Sequence, residues 1–220
     1  LLSTIGALLM VSAQHMASFF MSLEMLSVPL YGLLAYTYMR NQSLESGLKY
    51  LVLSATASAT LLMGMAFIYA EVGSLAFKPI SMVLGNIFES PLLILGAAMM
   101  MFGIAFKLSA APFHMWTPDV YEGSPTPVTG FFAAAPKFAA IALIARLVMG
   151  PFGDITDQWQ QVIIVLAVMS MFIGAIGALR QTNIKRLMAY SSIAHMGYAL
   201  IGVAAGTAFG VEAMLTYMAI

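Results

Sequence analysis

Three ionisable residues, Glu24, Lys107 and Lys137, lie deep inside long apolar runs of this sequence. A charged side chain at membrane depth costs a few kcal/mol, so it persists where it faces a partner, water or a pathway. Burial favours the neutral form of an amine, whereas a carboxylate about 4 Å away favours its charged form by roughly 4 kcal/mol at an effective dielectric near 20. This set of residues predicts proton transfer, with Lys107 as carrier, Glu24 as modulating acid and Lys137 as the next base.

The same residues have a second interpretation, a structural ion pair in which a buried lysine and a buried glutamate neutralise each other. An apolar replacement is often at least as stable as such a pair, so stability alone is a weak reason to retain the charges. His195 gives a weaker signal: an imidazole changes charge near neutral pH, and it can relay protons or only donate hydrogen bonds. Ser192 nearby could line a wet path or bond its own backbone.

The elements that position these residues are predicted to be membrane-spanning helices. Apolar residues make up 61% of the 220 residues and charged residues only 8%, against about half and about 25% in soluble domains. These proportions exclude a soluble domain, a nucleic-acid-binding protein and a disordered tail. The chain has no cysteine, which excludes disulfides, Cys-ligated iron–sulfur clusters and Cys-based zinc sites.

Spans can be counted because a helix needs roughly 20 apolar residues to cross a bilayer core about 30 Å thick. The sequence predicts a single transmembrane domain over residues 1–220, with about seven spans and the start of another. The predicted spans are 1–12, 15–39, 44–70, 91–116, 128–149, 162–179 and 184–203, and the last begins near residue 211. Both chain ends fall inside apolar runs, so we expect a fragment of a longer protein.

Charges between the spans predict the orientation of the chain. Most basic residues fall on one side, which is cytoplasmic by the positive-inside rule, whereas Arg146 falls on the other. These basic residues are Arg40, Lys49, Arg180, Lys185 and Arg186.

Small residues in the spans, Ser54 and Ser58 among them, are interpreted as packing positions that let helices approach closely.

One predicted span is interrupted by proline. From Phe106 the chain reads FKLSAAPFHMWTPDVYEGSPTPV, which puts Pro112 five residues after Lys107. Proline breaks or kinks a helix, and membranes tolerate this mainly where the freed backbone groups meet water or protein. A broken helix beside a buried lysine is typical of transporters.

Four segments together resemble a known family. They are LEMLSVPLYGLLAY from Leu23, SLESGLKYLVLSA from Ser43, the proline-containing stretch from Phe106, and LRQTNIKRLMAYSSIAHMGY from Leu179. On these segments the chain resembles the antiporter-like subunits of proton-pumping NADH:quinone oxidoreductase, respiratory complex I. The resemblance implies an all-α membrane protein, a polytopic helical bundle of the antiporter-like fold with inverted five-helix repeats and a discontinuous helix.

The resemblance also implies roles for individual residues. Glu24 is similar to the glutamate of the family's fifth transmembrane helix, Lys107 to the lysine of its discontinuous seventh helix, and Lys137 to the lysine of its eighth. His195 resembles the histidine of the tenth helix, on the polar axis of the membrane arm. Pro136 departs from the pattern, because the family leads us to expect a small hydroxyl residue there.

The function implied by the resemblance is proton movement across the bacterial inner (plasma) membrane, as part of an H⁺-translocating NADH:quinone oxidoreductase. We expect no cofactor or metal on this chain, since NADH, FMN, iron–sulfur clusters and quinone would belong to other subunits. The expected partners are antiporter-like and small hydrophobic membrane-arm subunits, protons and the lipid bilayer, with no nucleic acid. Two alternatives stay open: an Mrp-type cation/proton antiporter or membrane-bound hydrogenase subunit, and a non-conducting structural membrane subunit.

Overall fold

Helices account for nearly all of the described chain in the computed structural model, which describes residues 1–37, 39–87 and 90–220. The elements are α1 (Leu2–Ser12), α2 (Met16–Leu34), α3 (Asn41–Val72), α4 (Phe77–Ile87), α5 (Pro91–Leu108), α6 (Trp116–Gly123), α7 (Thr126–Met149), a 3₁₀ turn (Gly153–Ile155), α8 (Thr156–Leu179), α9 (Ile184–Ala204) and α10 (Ala208–Ala219). Among the described residues, α2, α3, α5, α7, α8 and α9 are long and apolar enough to cross a membrane. The predicted all-α membrane bundle is confirmed.

Helix boundaries differ from the predicted spans at several ends, and α8 begins at Thr156, earlier than the predicted 162. The helix predicted over 15–39 ends at Leu34, and Met39, the predicted end of that span, is an exposed turn residue beyond the helix. α4 was not predicted from the sequence, and with only 11 residues it is too short to cross a bilayer. Its buried residues Ile80 and Leu84 lie four apart, the spacing of one apolar helix face.

The span predicted over 91–116 holds one membrane-length helix, α5, followed by a turn that leads into α6 at Trp116. The predicted break in this helix is confirmed. α5 ends at Leu108, and Ser109 takes a left-handed conformation with φ of 61°. The break precedes Pro112 because proline has no N–H to bond the carbonyl of Leu108, four residues earlier, and its ring would clash with that carbonyl.

Protein groups satisfy the backbone at this break, as a lipid-embedded chain requires. The indole Nε1 of Trp116 donates to the carbonyl oxygen of Phe106 at 3.1 Å. The backbone N–H of Ala111 donates to Oγ of Ser170, on α8, at 2.8 Å. α6 then packs along α3, where Oγ of Ser46 donates to the carbonyl of Asp119 at 3.3 Å. The two half-helices therefore share α3 as a common support.

Glycines let the helix pairs approach closely. A Cβ atom at Gly64 of α3 would lie 2.6 Å from the carbonyl oxygen of Gly96 in α5. A Cβ atom at Gly174 of α8 would lie 2.6 Å from the backbone nitrogen of Ala194 in α9. The absence of a side chain at these glycines therefore lets α3 pack closely on α5 and α8 on α9.

Arg146, which the orientation prediction does not explain, lies in the last turn of α7. Its guanidinium Nη1 donates to the carbonyl oxygen of Val11, near the C-terminal end of α1. The last carbonyls of a helix have no partner within the helix and carry partial negative charge. Arg146 therefore stabilises the end of α1, and this local role accounts for its position without the positive-inside rule.

Candidate functional site

Lys107 is held inside the bundle by neutral oxygen atoms. Its side chain is 9% exposed and projects from the last turn of α5. Its Nζ donates to Oγ of Ser54 on α3 at 2.7 Å and to Oγ of Ser27 on α2 at 2.8 Å. The same Nζ lies 5.8 Å from the centre of the Tyr50 ring. The amine is therefore enclosed by three helices and does not face lipid.

Glu24 contacts a serine of α3. Its half-buried carboxylate accepts a hydrogen bond from Oγ of Ser58 at 2.5 Å. The ion pairs formed by the described residues involve Lys49 and Arg186 as cations, so Lys107 and Glu24 form no direct ion pair in the described part of the chain. The predicted acid and amine lie on the same helix interface but are joined through hydroxyl groups.

The packing interpretation of Ser54 and Ser58 is incomplete, because both hydroxyl groups contact the ionisable residues directly. The two serines are four residues apart on α3, so they share one face of that helix. This spacing was readable in the sequence. A serine inside a helix commonly bonds its own backbone, as Ser22 does with the carbonyl of Ser18 at 2.6 Å, and the sequence does not distinguish the two cases.

Lys137 is more deeply buried than Lys107, with 1% of its side chain exposed. Its Nζ donates to Oγ of Ser192 on α9 at 2.5 Å and lies 5.4 Å from the centre of the Tyr121 ring on α6. No ion pair of the described residues includes it. Ser192, which the sequence left open between two roles, is a direct partner of a buried amine.

One narrow cavity joins the two lysines. Lys107 and Lys137 both line it, together with Tyr50, Trp116 and Pro136. Its volume is about 10 Å³, close to the space that a single water molecule needs. α7 runs through Pro136 as one helix from Thr126 to Met149, so the unexpected proline does not interrupt the helix that carries Lys137.

His195 lies on the exposed side of α9, in a groove between α7, α9 and α10. The Nδ1 atom of His195 is 2.5 Å from the hydroxyl oxygen of Tyr217. The centres of the His195 and Tyr198 rings are 5.8 Å apart. Ser192, one helical turn away, lines the same groove. The structure therefore places Ser192 both against Lys137 and beside His195, while His195 has no direct bond to either lysine.

A cluster of charges at one end of the bundle fixes the position of α6. Asp119 accepts from Nζ of Lys49 on α3 at 2.9 Å and from Nη1 of Arg186 on α9 at 2.8 Å. Glu122 also accepts from Arg186, at 2.9 Å. Exposed pairs contribute at most about 1 kcal/mol each, but together these contacts link three helices. The basic residues predicted to be cytoplasmic include Lys49 and Arg186.

The chemical groups in these contacts suit proton transfer. Carboxylate, hydroxyl, amine and imidazole groups follow one another through the bundle from Glu24 to His195, and each can accept or donate a proton or a hydrogen bond. In the part of the chain that the structure describes, no group of three His, Asp or Glu side chains is placed to hold a metal ion.

Residues 13–220 match the transmembrane family described as NADH:quinone oxidoreductase/Mrp antiporter. The chain is 70% identical over 201 residues to NADH-quinone oxidoreductase subunit N of Psychrobacter arcticus, an alignment that covers 91% of this chain and 41% of that protein. It is similar to a chain of respiratory complex I from Thermus thermophilus, with a TM-score of 0.82 and 40% identity over 99% of this chain and 47% of that one.

A second solved structure comes from a different assembly. A chain of the Mrp complex from Dietzia sp. matches with a TM-score of 0.87 and 26% identity, over 99% of this chain and 40% of that one. This chain spans less than half the length of the curated relatives it matches.

Proposed function

The chain belongs to the NADH:quinone oxidoreductase/Mrp antiporter transmembrane family. We propose that it is part of subunit N of a proton-pumping NADH:quinone oxidoreductase and moves protons across a bacterial inner membrane. The observation that carries this proposal is the pair of buried lysines: both residues line one cavity, and the Nζ atom of each bonds serine hydroxyl groups. A buried amine without a carboxylate partner is a poor stabilising element and a suitable proton carrier.

In the proposed mechanism, Lys107 receives and releases a proton as the negative charge near it changes. Glu24 supplies that charge, because a neighbouring carboxylate favours the charged form of an amine. Lys137 takes the proton across the shared cavity, and the route continues past Ser192 to His195. Each of the four site residues, Glu24, Lys107, Lys137 and His195, therefore acts as a proton donor or acceptor.

The chemistry that drives this movement would take place in other subunits. We propose that residues 1–220 form one transmembrane domain, containing an inverted five-helix repeat and the start of its partner, inside a multi-subunit membrane arm. The chain itself would carry no cofactor, and NADH, FMN, iron–sulfur clusters and quinone would belong to partner subunits. The similarity to a chain of respiratory complex I supports this assignment.

A cation/proton antiporter of the Mrp type is the second candidate function, because the fold of this chain matches a chain of an Mrp complex with a TM-score of 0.87. Sequence identity favours the first candidate: it is 26% to that chain, against 40% to the chain of complex I and 70% to the Psychrobacter subunit N.

The test is substitution in the full-length subunit within the assembled enzyme, reconstituted in lipid vesicles. Lys107→Ala and Glu24→Ala are expected to lower the number of protons moved per quinone reduced, with a smaller loss for Lys137→Ala and with assembly preserved. Lys78→Ala, which removes an exposed lysine of α4, is the matched control and leaves the ratio unchanged. An unchanged ratio in both Lys107→Ala and Glu24→Ala would show that the chain is a non-conducting scaffold.

A further inference from the structure

We propose that Ser54 and Ser58 form a hydroxyl bridge through which Lys107 and Glu24 exchange a proton without forming an ion pair. The inference rests on the proposed proton transport and adds two residues to its route. Oγ of Ser58 bonds the carboxylate of Glu24 at 2.5 Å, and Oγ of Ser54 bonds the amine of Lys107 at 2.7 Å.

The two serines lie close together on one buried face of α3. They lie four residues apart on α3, so their Cβ atoms are about 5–6 Å apart on one helix face. Ser54 is fully buried and Ser58 is 7% exposed, which keeps both hydroxyls away from the lipid. A side-chain rotation or one water molecule would close the remaining gap between the two oxygen atoms.

The hydroxyl of Ser54 is bonded to side chains. Ser54 accepts from Lys107 and from the hydroxyl of Tyr31 at 3.1 Å, and among the hydrogen bonds of the described residues its O–H is not tied to a backbone carbonyl. Ser27, the other oxygen partner of Lys107, donates its only proton to the carbonyl of Leu23 at 2.8 Å. Ser27 therefore holds the amine, whereas Ser54 can also pass a proton onward.

The exchange balances as three linked transfers. The ammonium of Lys107 gives a proton to Oγ of Ser54, whose own proton moves to Oγ of Ser58, directly or through one water. The proton of Ser58 moves to the carboxylate of Glu24. The amine and the carboxyl group end neutral, and each serine again carries one proton. The total charge is the same before and after, so no unbalanced charge is created in the low-dielectric interior.

The bridge explains why the acid and the amine are kept apart. A contact ion pair in a protein interior is held by a strong Coulomb attraction, and this attraction would keep the proton on the amine. Two intervening hydroxyls lengthen the separation and weaken that attraction while they preserve a route for the proton.

The test compares hydroxyl deletions along α3 in the assembled enzyme in vesicles. Ser54→Ala and Ser58→Ala are expected to lower the rate of proton translocation by roughly tenfold or more, since a positioned proton-transfer group contributes at least that much. Ser58→Thr, which restores a hydroxyl, recovers most of the rate. The matched control is Thr56→Ala: Thr56 lies between the two serines on the exposed face and donates to the carbonyl of Val52 at 2.9 Å. It leaves the rate unchanged.

Ser27→Ala separates a relay from simple support of the amine, and it is expected to lower the rate less than Ser54→Ala does. Equal losses in these two variants, or normal translocation in Ser54→Ala and Ser58→Ala, would overturn the bridge. If Lys107→Ala abolishes translocation while Ser58→Ala does not, the bridge fails and the proton-transport proposal stands. If Lys107→Ala translocates protons normally, both fail.

Discussion

Substitution of Lys107 by methionine separates the two interpretations of a buried lysine, because they predict opposite effects on stability. Methionine is flexible and fills a similar volume, so the packing around the side chain is retained. Both serines keep a partner after the change: Ser27 still donates to Leu23, and Ser54 still accepts from Tyr31. No buried hydrogen-bonding group is left unsatisfied by the substitution.

The expected magnitude follows from these contacts. The variant avoids the penalty of about 1–3 kcal/mol for an orphaned buried polar group, and it removes the desolvation cost of an unpaired charge. Replacement of buried charges by well-packed apolar side chains is often neutral or stabilising by about 1–4 kcal/mol. We therefore expect the free energy of unfolding of Lys107→Met to be unchanged or higher. A structural ion pair predicts a loss of about 3–5 kcal/mol, because Glu24 would lose its cation.

The assay is denaturant unfolding of the purified full-length subunit in detergent, followed by tryptophan fluorescence, beside proton translocation by the assembled enzyme. Lys78→Met is the control, and as a surface change it is expected to alter the free energy of unfolding by no more than about 0.5 kcal/mol. A loss of about 3 kcal/mol or more in Lys107→Met, with translocation retained, would refute the reasoning and favour a structural role.

Two further predictions concern the packing that positions the site. Gly64→Ala places a methyl group 2.6 Å from a backbone carbonyl of α5, so we expect a loss of about 1–3 kcal/mol, whereas Gly32→Ala, with open space around it, is neutral or stabilising by up to about 1 kcal/mol. Denaturant titration of the two variants checks this, and equal midpoints would contradict it. Arg146→Gln weakens the bond to the carbonyl of Val11, so hydrogen exchange in α1 should become faster while exchange in α9 is unchanged. Equal effects on both helices would contradict a local role.

The membrane bundle was predictable because lipid imposes a simple rule on the sequence. Backbone groups in hydrocarbon must bond within a helix, so each crossing leaves a long apolar run. The break after Lys107 was predictable for a related reason, since Pro112 cannot continue a helix. The short helix α4 was missed because its length falls below that of a crossing, so the same rule gives no signal for it.

The candidate site was only partly predictable. Ionisable residues at membrane depth identified Glu24, Lys107 and Lys137, because their burial is costly. The sequence did not show that hydroxyl groups join them, since the face of α3 that meets α2 and α5 depends on how the helices are rotated against each other. The contact of Ser192 with Lys137 was unpredictable for the same reason: it depends on the packing of α7 against α9.

The most direct test of the account is a structure of the assembled enzyme at a resolution that shows ordered water around the two buried lysines. Proton transfer between Lys107 and Lys137 predicts at least one water molecule in the cavity that both residues line, within hydrogen-bond distance of one or both Nζ atoms. An empty, dry cavity in the working enzyme, with neither amine in contact with water, would contradict proton transfer between them.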